Sequence, residues 1–582
     1  MPEYPSSPAP PPASHPPPAD RTTVAVVGLG AVGSALTARF VRAGLRVVGI
    51  DSDPAAVERA RRSAPGDRPH EVHSDLAAVA AADLVLEAVP EPAPVKRSVL
   101  AAVRGHRRAG VPVVTTALAT PAAELADAAG GDLLALRFLR ADALDSVELA
   151  AAPGTGDQAI DTVVRVLSLA GSAVHRVPDR AGSLAPGLLL GLLNRAAWMV
   201  QDGYATAEAV DTAVRLGCGW SEGPLAVLDA IGLETARQLI ADLGERAEQP
   251  FAPAPVLDRL VDRGALGRRS GRGFHRYPAA DARPSAAPTA APGSRVVVVG
   301  SGTMATGIAE CFLRAGFSTT LLARTEAGAR TAAENVEFGL QRSGASDPEL
   351  RRCLDRWTAT GDRSVLAAAD IVVEAVVEDP DVKRRLFAEF GRVCAPHALL
   401  ATSTSSLPVD VCTDTAGRPA QVLGLHFFNP APLLPLVELV PAPGTSAHTL
   451  ARARAVAELL GKQAVECGDR TGFIVNALLF PYLNEALRLL DAGEVTAAGL
   501  DQAVKSVGGL PLGPVRLLDT VGADVALEVQ SRLHHDPARP APAPVPLLEQ
   551  LVADGYLGRK SSGRGVRAFL TGRAAAAAPA AA

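Results

Sequence analysis

At 582 residues the chain has room for several domains with sizeable cores, and its net charge of −5 leaves no electrostatic footprint for a nucleic-acid partner. Its six cysteines, Cys218, Cys311, Cys353, Cys394, Cys412 and Cys467, form no C-x-x-C pair, so no metal site is expected and a reducing, cytoplasmic setting suits them. The start of the chain lacks the apolar core of a signal peptide, and runs such as 184–193 are too short and interrupted to span a bilayer, so no membrane role is expected.

Residues 1–20 form a proline-rich, low-complexity tail with nothing to build a core from. A strand over 23–27 then leads into Gly28-Leu-Gly30-Ala-Val-Gly33, a helix over 34–43, a second strand over 46–50 and Asp51. This is the full dinucleotide fingerprint in its strand–turn–helix setting. The glycines let the backbone approach a pyrophosphate at a helix N-terminus, and the acid binds a ribose 2′-hydroxyl. A buried parallel strand at 82–89 and a helix opening at Pro90–Lys96 follow, and βα units complete a doubly wound Rossmann-type domain over 21–177. From Asp179 the pattern turns helical, with helices over 184–201, 206–216 and 224–243 in an all-α domain spanning 178–277. Residues 278–293 read as a linker of Pro, Ala and Ser.

The chain then starts again. Gly300-Ser-Gly302-Thr-Met-Ala305-Thr-Gly307 mirrors the first fingerprint, and the strand at 369–376 mirrors that at 82–89. Val382-Lys383 matches Val95-Lys96, Asp469-Arg-Thr-Gly472 matches Asp179-Arg-Ala-Gly182, and Gly513-Pro514 matches Gly223-Pro224. Co-linear motifs at nearly constant spacing indicate duplication of an entire two-domain unit: a second Rossmann-type domain over 294–467 and a second helical domain over 468–570. The tail over 571–582 reads as alanine-rich and featureless.

The copies are not equivalent. The second carries an insertion near 331–355, read as a pair of helices bearing Arg342, Arg351, Arg352 and Arg356. These arginines fit a solvated arm, and as a group they could also meet phosphates. The second copy also carries Ser405 after a strand, His426 at the end of the apolar run from Val422, Glu438 inside the next run, and Asn476. A carboxylate in a buried strand needs a partner, and His426 is the obvious one. The couple would make a general base, although a satisfied core histidine beside an edge-strand glutamate gives the same pattern. The first copy has Leu118, Arg137, Glu148 and Pro186 at these four positions. Arginine accepts no proton at accessible pH, so the first copy cannot use this route.

The motifs GSGTMATGIAE, VVEAVVEDPDVK, TSTSSL, GLHFFNPAPLLPLVELV and DRTGFIVNALLFPYLNEA resemble the 3-hydroxyacyl-CoA dehydrogenase family, including its 3-hydroxybutyryl-CoA enzymes. The resemblance covers nearly all of the ordered chain, twice over. It implies that His426 is the catalytic base, that Glu438 orients it, and that Ser405 and Asn476 contact substrate. It further implies that Glu378 and Lys383 line the cofactor and substrate pocket, and that the arginine-bearing arm faces an acyl-CoA. Partnering through the helical domains is expected, as an internal pseudo-dimer or a homodimer. At the ribose-binding position the second copy has Ala323 followed by Arg324, so the cofactor is expected to be NAD or NADP, the cation suiting a 2′-phosphate. Two alternatives stay open: a dehydrogenase of a free hydroxy acid, and a catalytically silent acyl-CoA- or nucleotide-binding protein.

Overall fold

The computed structural model describes residues 22–62, 70–247, 251–278, 294–342, 346–559 and 563–577. The proline-rich tail and nearly all of the linker lie outside them. Two eight-stranded sheets dominate. The first comprises β1 (Thr23–Val27), β2 (Arg46–Ile50), β3 (His70–His73), β4 (Leu84–Glu87), β5 (Val113–Thr115), β6 (Leu133–Arg137), β7 (Ser146–Ala151) and β8 (Ala173–Arg176). The second comprises β9 (Arg295–Val299), β10 (Ser318–Leu322), β11 (Trp357–Thr360), β12 (Ile371–Glu374), β13 (Leu399–Thr402), β14 (Val422–Phe427), β15 (Leu436–Pro441) and β16 (Gln463–Glu466).

Strand order is the same in both: β3-β2-β1-β4-β5-β6-β7-β8 and β11-β10-β9-β12-β13-β14-β15-β16. All pairings are parallel except β6 with β7 and β14 with β15. The order reverses beside β1 and β9, which creates a crevice at the carboxyl ends of the strands where such sheets bind ligands. Alternation along a strand feeds two cores. Val24 and Val26 join one cluster and Ala25 and Val27 another, as helices covering both faces require. In the second copy Val296 and Val298 pack with Phe312, fully buried on the helix Thr303–Arg314. Burying one such phenylalanine is worth about 2–3 kcal/mol.

The structure corrects several boundaries. The first fingerprint helix is Ala31–Arg42, so it begins inside the glycine motif. The single helix expected over 224–243 is two, Pro224–Ile231 and Leu233–Arg246, broken at Gly232, whose φ of 94° a helix cannot hold. The arm is helical as expected, Glu326–Arg342 and Asp347–Leu354. The tail is not featureless, because the helix Val566–Ala577 enters it. The compact units also differ from the sequence repeat. One ends at Gly187 and the other begins at Leu188, so the first copy's helical segment groups with the second copy. No helix among the described residues is long and apolar enough to cross a membrane.

Candidate active site

The antiparallel pairing of β14 with β15 sets His426 opposite Glu438. Neither side chain needs the bulk solvent, being 5% and 0% exposed, and Nδ1 of His426 lies 2.7 Å from Oε2 of Glu438. A carboxylate partner fixes the Nδ1–H tautomer and leaves Nε2 as the acceptor. The other carboxylate oxygen of Glu438 accepts from the amides of Ile474 (3.1 Å) and Val475 (3.0 Å), at the start of the helix Val475–Asp491. Glu438 thus serves both the histidine and the unsatisfied amides of a helix start.

The next residue on that helix, Asn476, donates from Nδ2 to the carbonyl of Ser405 (2.9 Å), across the cleft between sheet and helical domain. The Ser405 loop is itself organised by Glu378. Its Oε1 accepts from the Thr404 hydroxyl (2.6 Å) and from the amides of Ser405 (2.7 Å) and Ser406 (2.9 Å), and the Ser405 hydroxyl lies 3.2 Å away. Burial disfavours the charged form of Glu378, but Lys383 and these donors outweigh it and hold the carboxyl down at about 2.

Lys383 does not line the pocket as expected. It is 1% exposed and closed off by Glu374 (2.8 Å) and Glu378 (3.3 Å), and it meets the Ser405 loop through Glu378. Gly307 likewise stands apart from the phosphate cradle. A Cβ there would come 3.3 Å from Pro432 and 3.4 Å from Ala431, so its glycine lets the loop after β14 close on the fingerprint helix.

The remaining fingerprint residues suit a dinucleotide. Gly300 has φ 135°, and a Cβ would sit 2.3 Å from the Ala375 carbonyl oxygen, so only glycine fits. A Cβ on Gly302 would meet nothing within 4 Å, and Gly302 offers no side-chain cap to the helix Thr303–Arg314, so first-turn amides face an open approach suited to a pyrophosphate. Ala305 is fully buried beneath this turn. Beyond β10, Ala323 is buried and Arg324 exposed, with no ion pair of its own among the described residues. In the first copy Asp51 occupies the Ala323 position. Its Oδ2 accepts from the Leu29 amide inside the glycine loop (2.7 Å); Gly30 is open as Gly302 is, but a Cβ on Gly33 would lie 1.7 Å from the Gly28 carbonyl oxygen, a tighter turn than at Ala305. Of the arm's arginines, Arg342, Arg351 and Arg352 are exposed, whereas Arg356 is half-buried with its Nε enclosed.

Two further residues carry the site and were not singled out from sequence. Phe473 adopts φ 49° and is fully buried, its ring centroid 5.4 Å from that of His426, with Phe428 on another side at 4.5 Å. Arg532, from the helix Ala523–His534, donates to the Ser406 hydroxyl and to the Glu378 carbonyl (2.9 Å), tying the helical domain to the Ser405 loop. Asp469-Arg-Thr-Gly472 repeats Asp179-Arg-Ala-Gly182 just ahead of Phe473, but no local pattern points to Arg532.

The first copy keeps the scaffold without the histidine. β6 and β7 bring Arg137 opposite Glu148 in the same register. Glu148 accepts from the amides of Leu184 (3.0 Å) and Ala185 (2.9 Å), repeating half of the role of Glu438. Arg137, 1% exposed, reaches instead to Asp179 (2.9 Å) and to the carbonyls of Ala117 (3.1 Å) and Arg180 (2.7 Å). Burial lowers its pKa, and Asp179 opposes the fall.

Comparison with known proteins accords with this geometry. The family "3-hydroxyacyl-CoA dehydrogenase, NAD binding domain" matches residues 295–470, and "3-hydroxyacyl-CoA dehydrogenase, C-terminal domain" matches both 185–277 and 472–568. The "NAD binding domain of 6-phosphogluconate dehydrogenase" matches 23–131. A 3-hydroxybutyryl-CoA dehydrogenase of Mycobacterium tuberculosis is 43% identical over 277 residues, which is 47% of this chain and 96% of that protein. The human mitochondrial hydroxyacyl-coenzyme A dehydrogenase is 36% identical over 277 residues, 46% of this chain and 88% of that one. The crystal structure of a 3-hydroxybutyryl-CoA dehydrogenase from Escherichia coli K12 shares the fold across 92% of this chain and 100% of its own, with a TM-score of 0.58 at 18% identity.

Proposed function

Because the chain belongs to the 3-hydroxyacyl-CoA dehydrogenase family, as an NAD-dependent oxidoreductase, we propose that its second copy interconverts a short-chain (S)-3-hydroxyacyl-CoA, such as 3-hydroxybutyryl-CoA, with the 3-oxoacyl-CoA, using His426 as general base and acid. One observation carries the reading: the antiparallel strand pair sets a histidine on a buried carboxylate, itself anchored to a helix start, in the second copy, where the first copy has Arg137 opposite Glu148. The dinucleotide, when bound along Gly300, Gly302 and Ala305, supplies the two-electron acceptor for C3. Nε2 of His426 takes the proton of the 3-hydroxyl, and Glu438 stabilises the resulting imidazolium. Asn476 holds the Ser405 loop, and the amide and hydroxyl donors of the two stabilise charge developing on substrate oxygens. In the reverse direction His426 returns the proton to the 3-oxo oxygen. The exposed Val377, Leu433 and Phe338 offer apolar surface for an acyl-pantetheine chain, and Arg342, Arg351 and Arg352 suit its phosphates.

Two finer points belong to the same reading. The active copy takes NADP(H) as well as NAD(H), supported by Ala323 and exposed Arg324 where the first copy has Asp51. The helical segments pair within one chain, supported by close packing of Gly217 on Val475 and of Gly508 on Leu189, so no second chain is needed.

The test is a spectrophotometric assay with acetoacetyl-CoA and each reduced cofactor, on the full chain and on His426→Ala. Turnover by the wild type and a loss of about 1000-fold or more in the variant are expected. Cofactor binding without turnover, unchanged by the substitution, favours the silent binding protein, and turnover that survives the substitution removes His426 as the base. Turnover of a free 3-hydroxy acid but not of the thioester favours the hydroxy-acid reading.

A further inference from the structure

The segment 467–476 carries much of the catalytic centre. Asp469 accepts from the amides of Val409 (2.7 Å) and Asp410 (2.9 Å) beyond the Ser405 loop, and Phe473 lies against His426. Ile474 and Val475 hold Glu438, and Asn476 holds Ser405. Phe473 adopts a left-handed backbone conformation that a bulky residue keeps only when its surroundings enforce it.

The first copy packs against both ends of this segment, at Gly468–Arg470 and at Val475. In the turn after the helix Ala185–Gln201, the carbonyl of Tyr204 accepts from the amide of Gly468 (2.9 Å), and a Cβ on Gly468 would come 2.8 Å from the Tyr204 ring. The guanidinium of Arg470 lies 3.8 Å from that ring's centroid and 3.5 Å from Asp202. Asp202 also takes both arms of Arg539 at 2.9 Å, and Arg539 stacks at 3.9 Å over Trp198. One helix further on, a Cβ on Gly217 would come 3.0 Å from Leu436, at the start of β15, and 3.0 Å from Val475. The buried Tyr204 hydroxyl sits beside Cys467 and feels the charge of Glu438.

We propose that Asp202 and Tyr204, in the copy without a catalytic base, are positioning residues for the other copy's active site, acting through 467–476 on Glu438, Phe473 and Asn476. This deepens the dehydrogenase reading and rests on it for its kinetic readout. The retained first copy is then a working part of the catalytic machinery.

The experiment uses the full chain and the variants Tyr204→Ala, Tyr204→Phe and Asp202→Lys. Phenylalanine keeps the ring under Arg470 and against Gly468, so kcat with acetoacetyl-CoA should stay within about twofold of wild type. Tyr204→Ala should lower kcat about tenfold or more while the NADH Kd, read by fluorescence, and the number of NADH sites stay unchanged. Asp202→Lys, which places a cation beside Arg470 and Arg539, should lower kcat about fivefold with the same unchanged NADH binding. Hydrogen exchange at the amides of Ile474 and Val475 should speed up in the alanine and lysine variants. The exchange needs no turnover, so it separates this idea from the dehydrogenase reading: an inactive wild type removes the latter alone. Unchanged kcat and unchanged exchange in Asp202→Lys and Tyr204→Ala overturn the proposal. So does a kcat loss that merely follows a loss of NADH sites.

Discussion

Arg137 and Glu148 face each other across β6 and β7 in the register that joins His426 to Glu438, yet they do not pair: Arg137 turns to Asp179 at 2.9 Å and Glu148 to two backbone amides. The same backbone therefore supports two different side-chain circuits. In the first copy the guanidinium bridges the loop at 117–120 to the turn at 179–180.

Restoring a histidine there should not restore chemistry. In a His426→Ala background, Arg137→His is expected to give no turnover, because Leu118 and Pro186 stand where Ser405 and Asn476 are needed. It should also destabilise the chain by about 3 kcal/mol, since Asp179 loses a buried partner. Calorimetry and the acetoacetyl-CoA assay read both, and recovered turnover would show that register alone makes the base.

Glu438 has two duties that one substitution separates from those of His426. His426→Gln should abolish turnover with little change in melting temperature. Glu438→Gln should lower kcat about 100-fold and also cost about 1–3 kcal/mol, because a neutral amide oxygen holds Ile474 and Val475 less well. Equal melting temperatures for the two variants would remove the structural duty.

Cofactor choice should follow the end of β10. Ala323→Asp combined with Arg324→Gln is expected to reduce the ratio of kcat/KM for NADPH over NADH by about 10-fold or more. A wild type that already rejects NADPH would end the 2′-phosphate reading.

The Glu378 carboxyl gives a pH signature. Its folded value of about 2 lies below the ordinary 4.5, so the folded state binds its proton less readily than the unfolded state does. The stability it contributes is complete above 4.5 and is lost as pH falls from there toward 2. Melting curves of wild type and Glu378→Gln should run parallel above pH 5 and converge on acidification. A gap that stays constant down to pH 3 would mean that Lys383 and the 404–406 donors do not depress the carboxyl.

Features that repeat or depend on neighbours in sequence were legible without coordinates. The two fingerprints, the duplication, the insertion carrying the arm, and the pairing of His426 with Glu438 all follow from period, spacing and the cost of a buried charge. What escaped lay in contacts between distant elements. Nothing near Lys383 reveals that Glu374 and Glu378 enclose it, since these come from a strand end and a loop. Arg532 reads as one more surface arginine until the Ser406 loop meets it. Gly232 breaks a helix that apolar periodicity alone would continue, because a positive φ is invisible to hydrophobic patterning. The grouping of the first helical segment with the second copy is likewise a matter of packing that the linear repeat conceals.

Gly217 shows what this arrangement asks of future change. With no side chain it lets one copy press against the strand and helix that carry the other copy's Glu438 and Asn476. Drift in the first copy is then filtered by location. Its exposed positions away from that contact are free to accumulate substitutions, while its face toward 436 and 475 is not. A mutational scan of the first copy should therefore produce activity losses along that face, in the half that has Arg137 in place of the histidine.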